Sequence, residues 1–148
     1  MENKSGIISI LCFANYCRSP VAEKILSEKF KNITFFSYGI NPKIGAEMDP
    51  RSRNYLEEIK IKDCNHIPRK VGMKEVRSSE LILCMDHQVL MYMNMNYPKQ
   101  KSRFKLFNFK NPSTIIEDPY RLEHTRYFEV MKKIYTVCSD LESNDLIG

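Results

Sequence analysis

The chain has 148 residues, 43% of them hydrophobic and 28% charged, proportions of an ordinary soluble domain with enough chain to bury one sizeable core. That balance excludes a disordered or collagen-like chain, and no apolar run reaches the ~20 residues that span a bilayer. Lys and Arg number 23 against 18 Asp and Glu, a net charge of +5; the surplus suits an anionic substrate, but the basic residues are scattered and form no nucleic-acid-reading motif.

Residues 1–6 lead straight into an apolar run and show no secretory cleavage pattern. The five cysteines, at 12, 17, 64, 84 and 138, form no CxxC and no regular ladder, which reads as reduced thiols in a cytoplasmic protein. There is no internal repeat, low-complexity tract or linker, so residues 1–148 read as one domain.

The first element is the continuous apolar run 7–11, whose β-branched residues with little alternation predict a strand buried on both faces. After the turn 12–18, Ser19-Pro20 opens a helix, with Ser19 as N-cap and Val21, Ala22, Ile25, Leu26 and Phe30 at helical spacing. A second strand is expected over 33–37, then a loop over 41–47 containing Pro42 and Gly45. Asp49-Pro50 repeats the cap-plus-proline start, and Tyr55, Leu56 and Ile59 give the buried stripe of a second helix. A third buried strand over 81–85 is followed by Asp86 as cap of a helix carrying Val89, Leu90 and Met93. The basic stretch 99–105 reads as a solvated loop, and 105–107 as a short fourth strand. In the last helix Tyr127, Phe128, Met131, Ile134, Tyr135 and Cys138 form the apolar stripe. Strands alternating with helices imply an α/β, three-layer domain: a four-stranded parallel sheet, wound right-handed, with helices on both faces. Ligands of such sheets bind at the carboxyl ends of the strands near the topological switch point, which is where residues 12–18 fall.

That loop carries chemistry. A turn from strand to helix N-terminus points successive backbone N–H groups into one concavity that binds an oxyanion. Arg18 adds a planar fork for two phosphate oxygens, and a Cys12 thiol at the rim of this electropositive cup is favoured as the thiolate. A thiolate beneath a bound phosphate can attack phosphorus in line. The Ser19 hydroxyl can hydrogen-bond that sulfur and improve it as a leaving group when the phosphocysteine is hydrolysed. Of the five cysteines, only Cys12 has Arg six residues on followed by Ser or Thr.

The reaction also needs a proton donor for the leaving oxygen. Asp118, in Glu117-Asp118-Pro119-Tyr120, is held extended before proline at a loop tip. No metal site is read, because His66, His87 and His124 lack metal-ligand spacing. Met91, Met93 and Met95 read as core and helix-end packing, and Cys84 and Cys138 as buried and inert.

Over essentially its whole length the chain resembles the low-molecular-weight protein tyrosine phosphatases. The resemblance is carried by Cys12, Asn15, Cys17, Arg18, Ser19 and Pro20 and by Asp118-Pro119-Tyr120. Weaker echoes lie at Ser37, Asp49-Pro50-Arg51, His66 with Arg69, 82–86 and Leu106. It implies hydrolysis of phosphotyrosine proteins or small aryl phosphates through a phosphocysteine. Cys12 would be the nucleophile, Arg18 the phosphate clamp and Asp118 general acid, then base. Phe13, Ala14, Asn15, Tyr16, Cys17 and Ser19 would form the phosphate loop, braced by Asn15 through Ser19, Ser37 and His66. No cofactor and no metal are implied, phosphate and vanadate should inhibit, and a monomer acting on neither nucleic acid nor membrane is expected.

Three departures from the family pattern stand out. Ala14 replaces the usual glycine, raising the question of a left-handed residue with a Cβ. The loop 41–44 offers Lys43 where an aromatic often flanks the substrate ring, so Lys43 and Tyr120 become the substrate wall. Arg121 follows Tyr120 where animal members often have a second Tyr. Cys17, five residues from Cys12, could form a protective disulfide with it after oxidation. The alternatives are a catalytically silent phosphate- or phosphotyrosine-binding module and a thiol-coupled arsenate reductase. The latter would need partner thiols that Cys84 lacks anywhere in 85–137.

Overall fold

A strand apolar along its length but for Ser9 is stable only where both its faces are covered. In the computed structural model, which describes residues 6–147, that is the situation of β1 (Ile7–Cys12). It pairs in parallel with β2 (Thr34–Gly39) on one side and β3 (Leu81–Cys84) on the other, and β3 pairs with β4 (Phe104–Leu106), giving the order β2-β1-β3-β4. The reading of the chain's start as leaderless falls largely on residues 1–5, outside the described residues. The helices are α1 (Ser19–Lys29), α2 (Pro50–Glu58), α3 (Met73–Ser78), α4 (His87–Asn96), α5 (His124–Asp140) and α6 (Ser143–Leu146). None among the described residues is long and apolar enough to cross a membrane.

The pleat divides the core in two. Ile8, Ile10 and Cys12 point with Leu81 and Leu83 toward α1, α2 and α5, packing with Val21, Leu26, Leu56, Met131 and Ile134. Leu11, Ile82 and Cys84 face the opposite way, onto Val76, Val89 and Met93 of α3 and α4. Each fully buried aliphatic side chain here contributes on the order of 2 kcal/mol of transfer free energy. The sheet is therefore four-stranded and parallel with helices on both faces, as expected. From β1 the chain goes first to a neighbour on one side and later to the other, so the carboxyl end of β1 is the switch point.

Several local readings shift. Ser19 does not cap α1: Arg18 is the N-cap residue and makes no side-chain cap bond, while Ser19 is the first helical residue. Its hydroxyl is committed to the loop instead. Strand β2 ends at Gly39, not Ser37, because Gly39 pairs with Cys12 and donates its N–H to the Arg69 carbonyl at 2.8 Å. A Cβ at Gly39 would lie 2.9 Å from the Phe13 carbonyl oxygen, so only glycine lets the phosphate loop cross this strand end. The stretch 99–105 is not a plain loop but opens as a 3-10 helix (Pro98–Arg103), whose Arg103 donates to the Val76, Arg77 and Ser79 carbonyls at the end of α3. On α5 the buried stripe runs through Val130 and Val137, and Tyr135 is 45% exposed. Met93 is core, whereas Met91 and Met95 face solvent.

Candidate active site

The loop between β1 and α1 is shaped by what happens to its carbonyls. Those of Cys12, Phe13 and Ala14 accept from Ile40, Asn41 and Lys43 N–H groups at 3.3, 2.8 and 3.0 Å. The Tyr16 carbonyl accepts from Asp49 N–H at 3.1 Å, and the Cys17 carbonyl from Ser52 Oγ at 2.8 Å. With its carbonyls tied to the surrounding protein, the loop turns its N–H groups the other way. Those of residues 13–18 reach no backbone carbonyl among the described residues. Unpaired N–H groups facing one concavity can satisfy an oxyanion.

The reversal needs one left-handed residue, and it is Asn15, with φ +52°. Ala14 is not among the positive-φ residues, so its Cβ carries no such penalty. Asn is one of the few side chains that tolerate this region, and here it is also fully buried and fully bonded. Its Nδ2 donates to Ser19 Oγ at 2.8 Å and to Ser37 Oγ at 3.1 Å; its Oδ1 accepts from Arg69 N–H at 3.0 Å and lies 2.8 Å from His66 Nε2. Because that oxygen can only accept, His66 carries its proton on Nε2. Burial, with Lys24 and Arg69 nearby, lowers the His66 pKa from 6.5 to about 4. The ring is therefore neutral at neutral pH, and its 3.8 Å approach to Glu23 is not an ion pair there. The Ser37 hydroxyl in turn donates to Glu23 Oε1 at 2.7 Å. Asn15 thus joins Ser19, Ser37 and His66 in one hydrogen-bonded cluster.

Cys12 is 3% exposed, with its sulfur 3.0 Å from Ser19 Oγ and 3.5 Å from the Ser19 N–H. Arg18, 2% exposed, puts Nη1 3.0 Å from Asp86 Oδ2 and 2.8 Å from the Ile116 carbonyl. Both contacts use Nη1, so Nε and Nη2 are the pair that can grip two phosphate oxygens. Cys17 lies behind the loop, its thiol 3.7 Å from Asp49 Oδ2, and burial together with Asp49 raises its pKa.

Cys12 and Arg18 form the floor of a cleft of about 410 Å³, and exposed Asp118 and Tyr120 stand at its rim. Asp118 Oδ1 accepts the Tyr120 N–H at 3.1 Å, which tightens the loop tip. Lys43 Nζ sits 4.4 Å from the Tyr16 ring centre and 4.9 Å from that of Tyr120, whose hydroxyl it meets at 3.1 Å. Tyr16 and Tyr120 pack edge-to-face at 5.9 Å. Tyr16, from the loop between β1 and α1, thus lines the cleft beside Tyr120, an aromatic in a wall where 41–44 has none. Sequence reading also missed Asp86 as the anchor of Arg18, having assigned it only to cap α4. It does both, accepting from Val89 N–H at 3.0 Å. Chemically, the cleft pairs an anion cradle and a buried thiol with a carboxyl at the mouth. Among the described residues no group of three or more His, Cys, Asp or Glu is placed to hold a metal ion.

Comparisons with known proteins bear on the family and the fold. The family model described as low molecular weight phosphotyrosine protein phosphatase matches residues 7–146. The low molecular weight protein-tyrosine-phosphatase Ptp of Acinetobacter johnsonii is 29% identical over 134 residues, 90% of this chain and 93% of that protein. Among solved structures, the Erwinia amylovora tyrosine phosphatase amsI superposes with a TM-score of 0.86 at 22% identity, covering 95% of this chain and 93% of its own. The YwlE arginine phosphatase of Geobacillus stearothermophilus shares the fold with a TM-score of 0.83 at 20% identity, covering 90% and 88%.

Proposed function

The chain belongs to the low molecular weight phosphotyrosine protein phosphatase family, and we propose that it hydrolyses phosphotyrosine and aryl phosphate monoesters through a phosphocysteine. The observation that carries this reading is that Cys12, Arg18, Asp118 and Tyr120 line one cleft. The Cys12 thiolate attacks phosphorus while Arg18 and the loop N–H groups hold the remaining oxygens. An S–P bond forms, the P–O bond to the aryl group breaks, and the Asp118 carboxyl gives its proton to the departing oxygen. Asp118, now a carboxylate, takes a proton from water as the water attacks phosphorus. The S–P bond breaks, and the Ser19 hydroxyl stabilises the returning thiolate. Inorganic phosphate and vanadate occupy the same cup and inhibit.

Depth and wall set the preference. A thiol 3% exposed beneath an aromatic rim suits a long planar phenol ester over a short alkyl one, so phosphotyrosine is favoured over phosphoserine. Phosphoarginine brings a cationic guanidinium to the phosphorus, and the cleft mouth already carries Lys43 and Arg121; this charge favours the tyrosine reading over the arginine one. An arsenate relay through Cys84 is disfavoured, since that thiol is fully buried in β3 and pushed up to about 12 by burial.

The test is hydrolysis of p-nitrophenyl phosphate in EDTA, followed by phosphotyrosine, phosphoserine and phosphoarginine peptides, with Cys12→Ser as control. Activity of wild type alone, highest on the phosphotyrosine peptide, supports the proposal. Equal inactivity of both proteins leaves a phosphate-binding module, and faster turnover of phosphoarginine reverses the substrate assignment.

A further inference from the structure

The segment that carries Asp118 is anchored at both ends by buried or half-buried arginines, and only one of them belongs to the phosphate cup. At the near end Arg18 Nη1 donates to the Ile116 carbonyl. At the far end Arg51 reaches across from α2: its Nη2 donates to the Tyr120 carbonyl at 3.0 Å and its Nη1 to the Leu122 carbonyl at 3.3 Å. Asp118 lies between the two anchors.

Arg51 is itself held with little freedom. Its Nε and Nη2 meet the two oxygens of Asp49 at 3.1 and 2.9 Å, a bidentate fork. Its guanidinium lies 3.9 Å from the centre of the buried Tyr127 ring. Asp49 is 2% exposed and is bonded to the back of the nucleophile loop, through its N–H to the Tyr16 carbonyl and through Oδ2 to the Cys17 thiol. An unbroken chain of contacts therefore runs from the loop bearing Cys12, through Asp49 and Arg51, to the loop bearing Asp118. Helix capping explains why Asp49 precedes Pro50, but a cap needs no arginine two residues on.

We infer that Arg51 is a positioning residue that sets the reach of Asp118 to the leaving oxygen by gripping the backbone of its loop. The inference rests on the reading of Asp118 as general acid. Arg51 touches neither the phosphate cup nor the sulfur. Losing it releases the Tyr120 and Leu122 carbonyls and lets the Asp118 carboxyl drift; it also unpairs Asp49, whose N–H bond to the Tyr16 carbonyl is left to hold the back of the cradle, a change that phosphate inhibition reads. Protonation of the leaving group matters most for substrates whose phenolate leaves poorly, so the deficit grows with leaving-group basicity.

The experiment compares wild type, Arg51→Met, Arg51→Lys, Asp118→Asn and Arg51→Met/Asp118→Asn on aryl phosphates of graded leaving-group basicity, reading kcat/KM. Inhibition by inorganic phosphate and the thermal midpoint report the cup and the fold. Wild type should show a shallow dependence and Asp118→Asn a steep one. Arg51→Met should be steepened, losing about 10²-fold on phenyl phosphate, the scale of a misplacement near 1 Å, and far less on p-nitrophenyl phosphate. The double variant should be no steeper than Asp118→Asn. Arg51→Lys keeps the charge but not the fork, and shows the same steepening if Arg51→Met does not fold. A steep Asp118→Asn with Arg51 variants parallel to wild type overturns the role of Arg51 alone. A shallow Asp118→Asn overturns the acid assignment, and the positioning role with it.

Discussion

Ser19 Oγ accepts from Asn15 Nδ2 at 2.8 Å and lies 3.0 Å from Cys12 Sγ; toward a thiolate sulfur, which can only accept, the hydroxyl is the donor. The amide that holds the loop in its left-handed turn thereby also orients the hydroxyl that meets the sulfur. Ser19→Ala removes that bond from the thiolate as it leaves phosphorus. We expect kcat to fall through slower phosphoenzyme breakdown, with the burst of p-nitrophenol retained. Rapid-mix kinetics show this directly; a lost burst would mean that Ser19 serves attack instead.

Asn15→Ala should act differently, through the fold. It leaves the buried Ser37 hydroxyl, His66 ring and Arg69 N–H without their shared partner, at about 1–3 kcal/mol, and places an alanine at φ +52°, at roughly 1–2 kcal/mol more. Denaturant unfolding should show a loss of that size, and activity should fall with it. A stable Asn15→Ala with normal turnover would remove the brace from the account.

How much of this was legible beforehand depends on whether the signal was local. The strand at β1, the loop and the caps at Asp49 and Asp86 follow from neighbouring residues, and they stand as read. Asp86 as partner of Arg18 was not legible, because that contact exists only once β3 lies beside β1. Ser19 carried an N-cap signature but lies inside the helix, since Asn15 and Cys12 compete successfully for its hydroxyl. The question posed by Ala14 was displaced by one residue: no sequence rule says which position of the loop turns left-handed, and Asn15 does. Asp-Pro at 118–119 marked Asp118 as a candidate proton donor, but its place over a cleft floor a hundred positions away exists only in the folded chain.

His66 gives the site a pH dependence. Its folded pKa is near 4 against 6.5 ordinarily, so between these values the unfolded chain binds a proton that the folded one refuses. Stability therefore rises with pH across that window and is lost as pH falls from about 6.5 toward about 4, by on the order of 3 kcal/mol at the lower end. His66→Gln keeps a donor for Asn15 without a titrating ring. Its unfolding free energy should depend less steeply on pH over this interval than that of wild type. Parallel curves would mean that His66 is not held neutral.

Lys43 bears on substrate choice. Lys43 is exposed, and its ammonium faces the Tyr16 and Tyr120 rings. A carboxylate beside the phosphotyrosine would meet this charge, and Arg121 is close by on the same rim. We expect Lys43→Met to lower kcat/KM a few-fold for acid-flanked phosphopeptides, with p-nitrophenyl phosphate nearly unaffected and the salt dependence of the peptide reaction reduced. An equal loss on both substrates would assign Lys43 to loop packing instead.

Oxidation is the remaining lever. A thiolate able to attack phosphorus is open to peroxide, giving a sulfenic acid that further oxidant converts irreversibly. Cys17 lies five residues on along the same curled loop, buried and with its thiol kept protonated by burial and by Asp49. If its sulfur condenses with the sulfenic acid, water leaves, an S–S bond forms, and Cys12 is protected in a state that thiols reverse. The bond costs the contact between Cys17 and Asp49, so the disulfide should form only after Cys12 is oxidised and should be readily reduced. Wild type treated with peroxide and then dithiothreitol should regain most of its activity. Cys17→Ser should start near normal and regain little, and intact mass should show loss of two hydrogens in wild type against added oxygens in the variant. Equal recovery would leave Cys17 as a packing residue behind the loop, its thiol turned to Asp49.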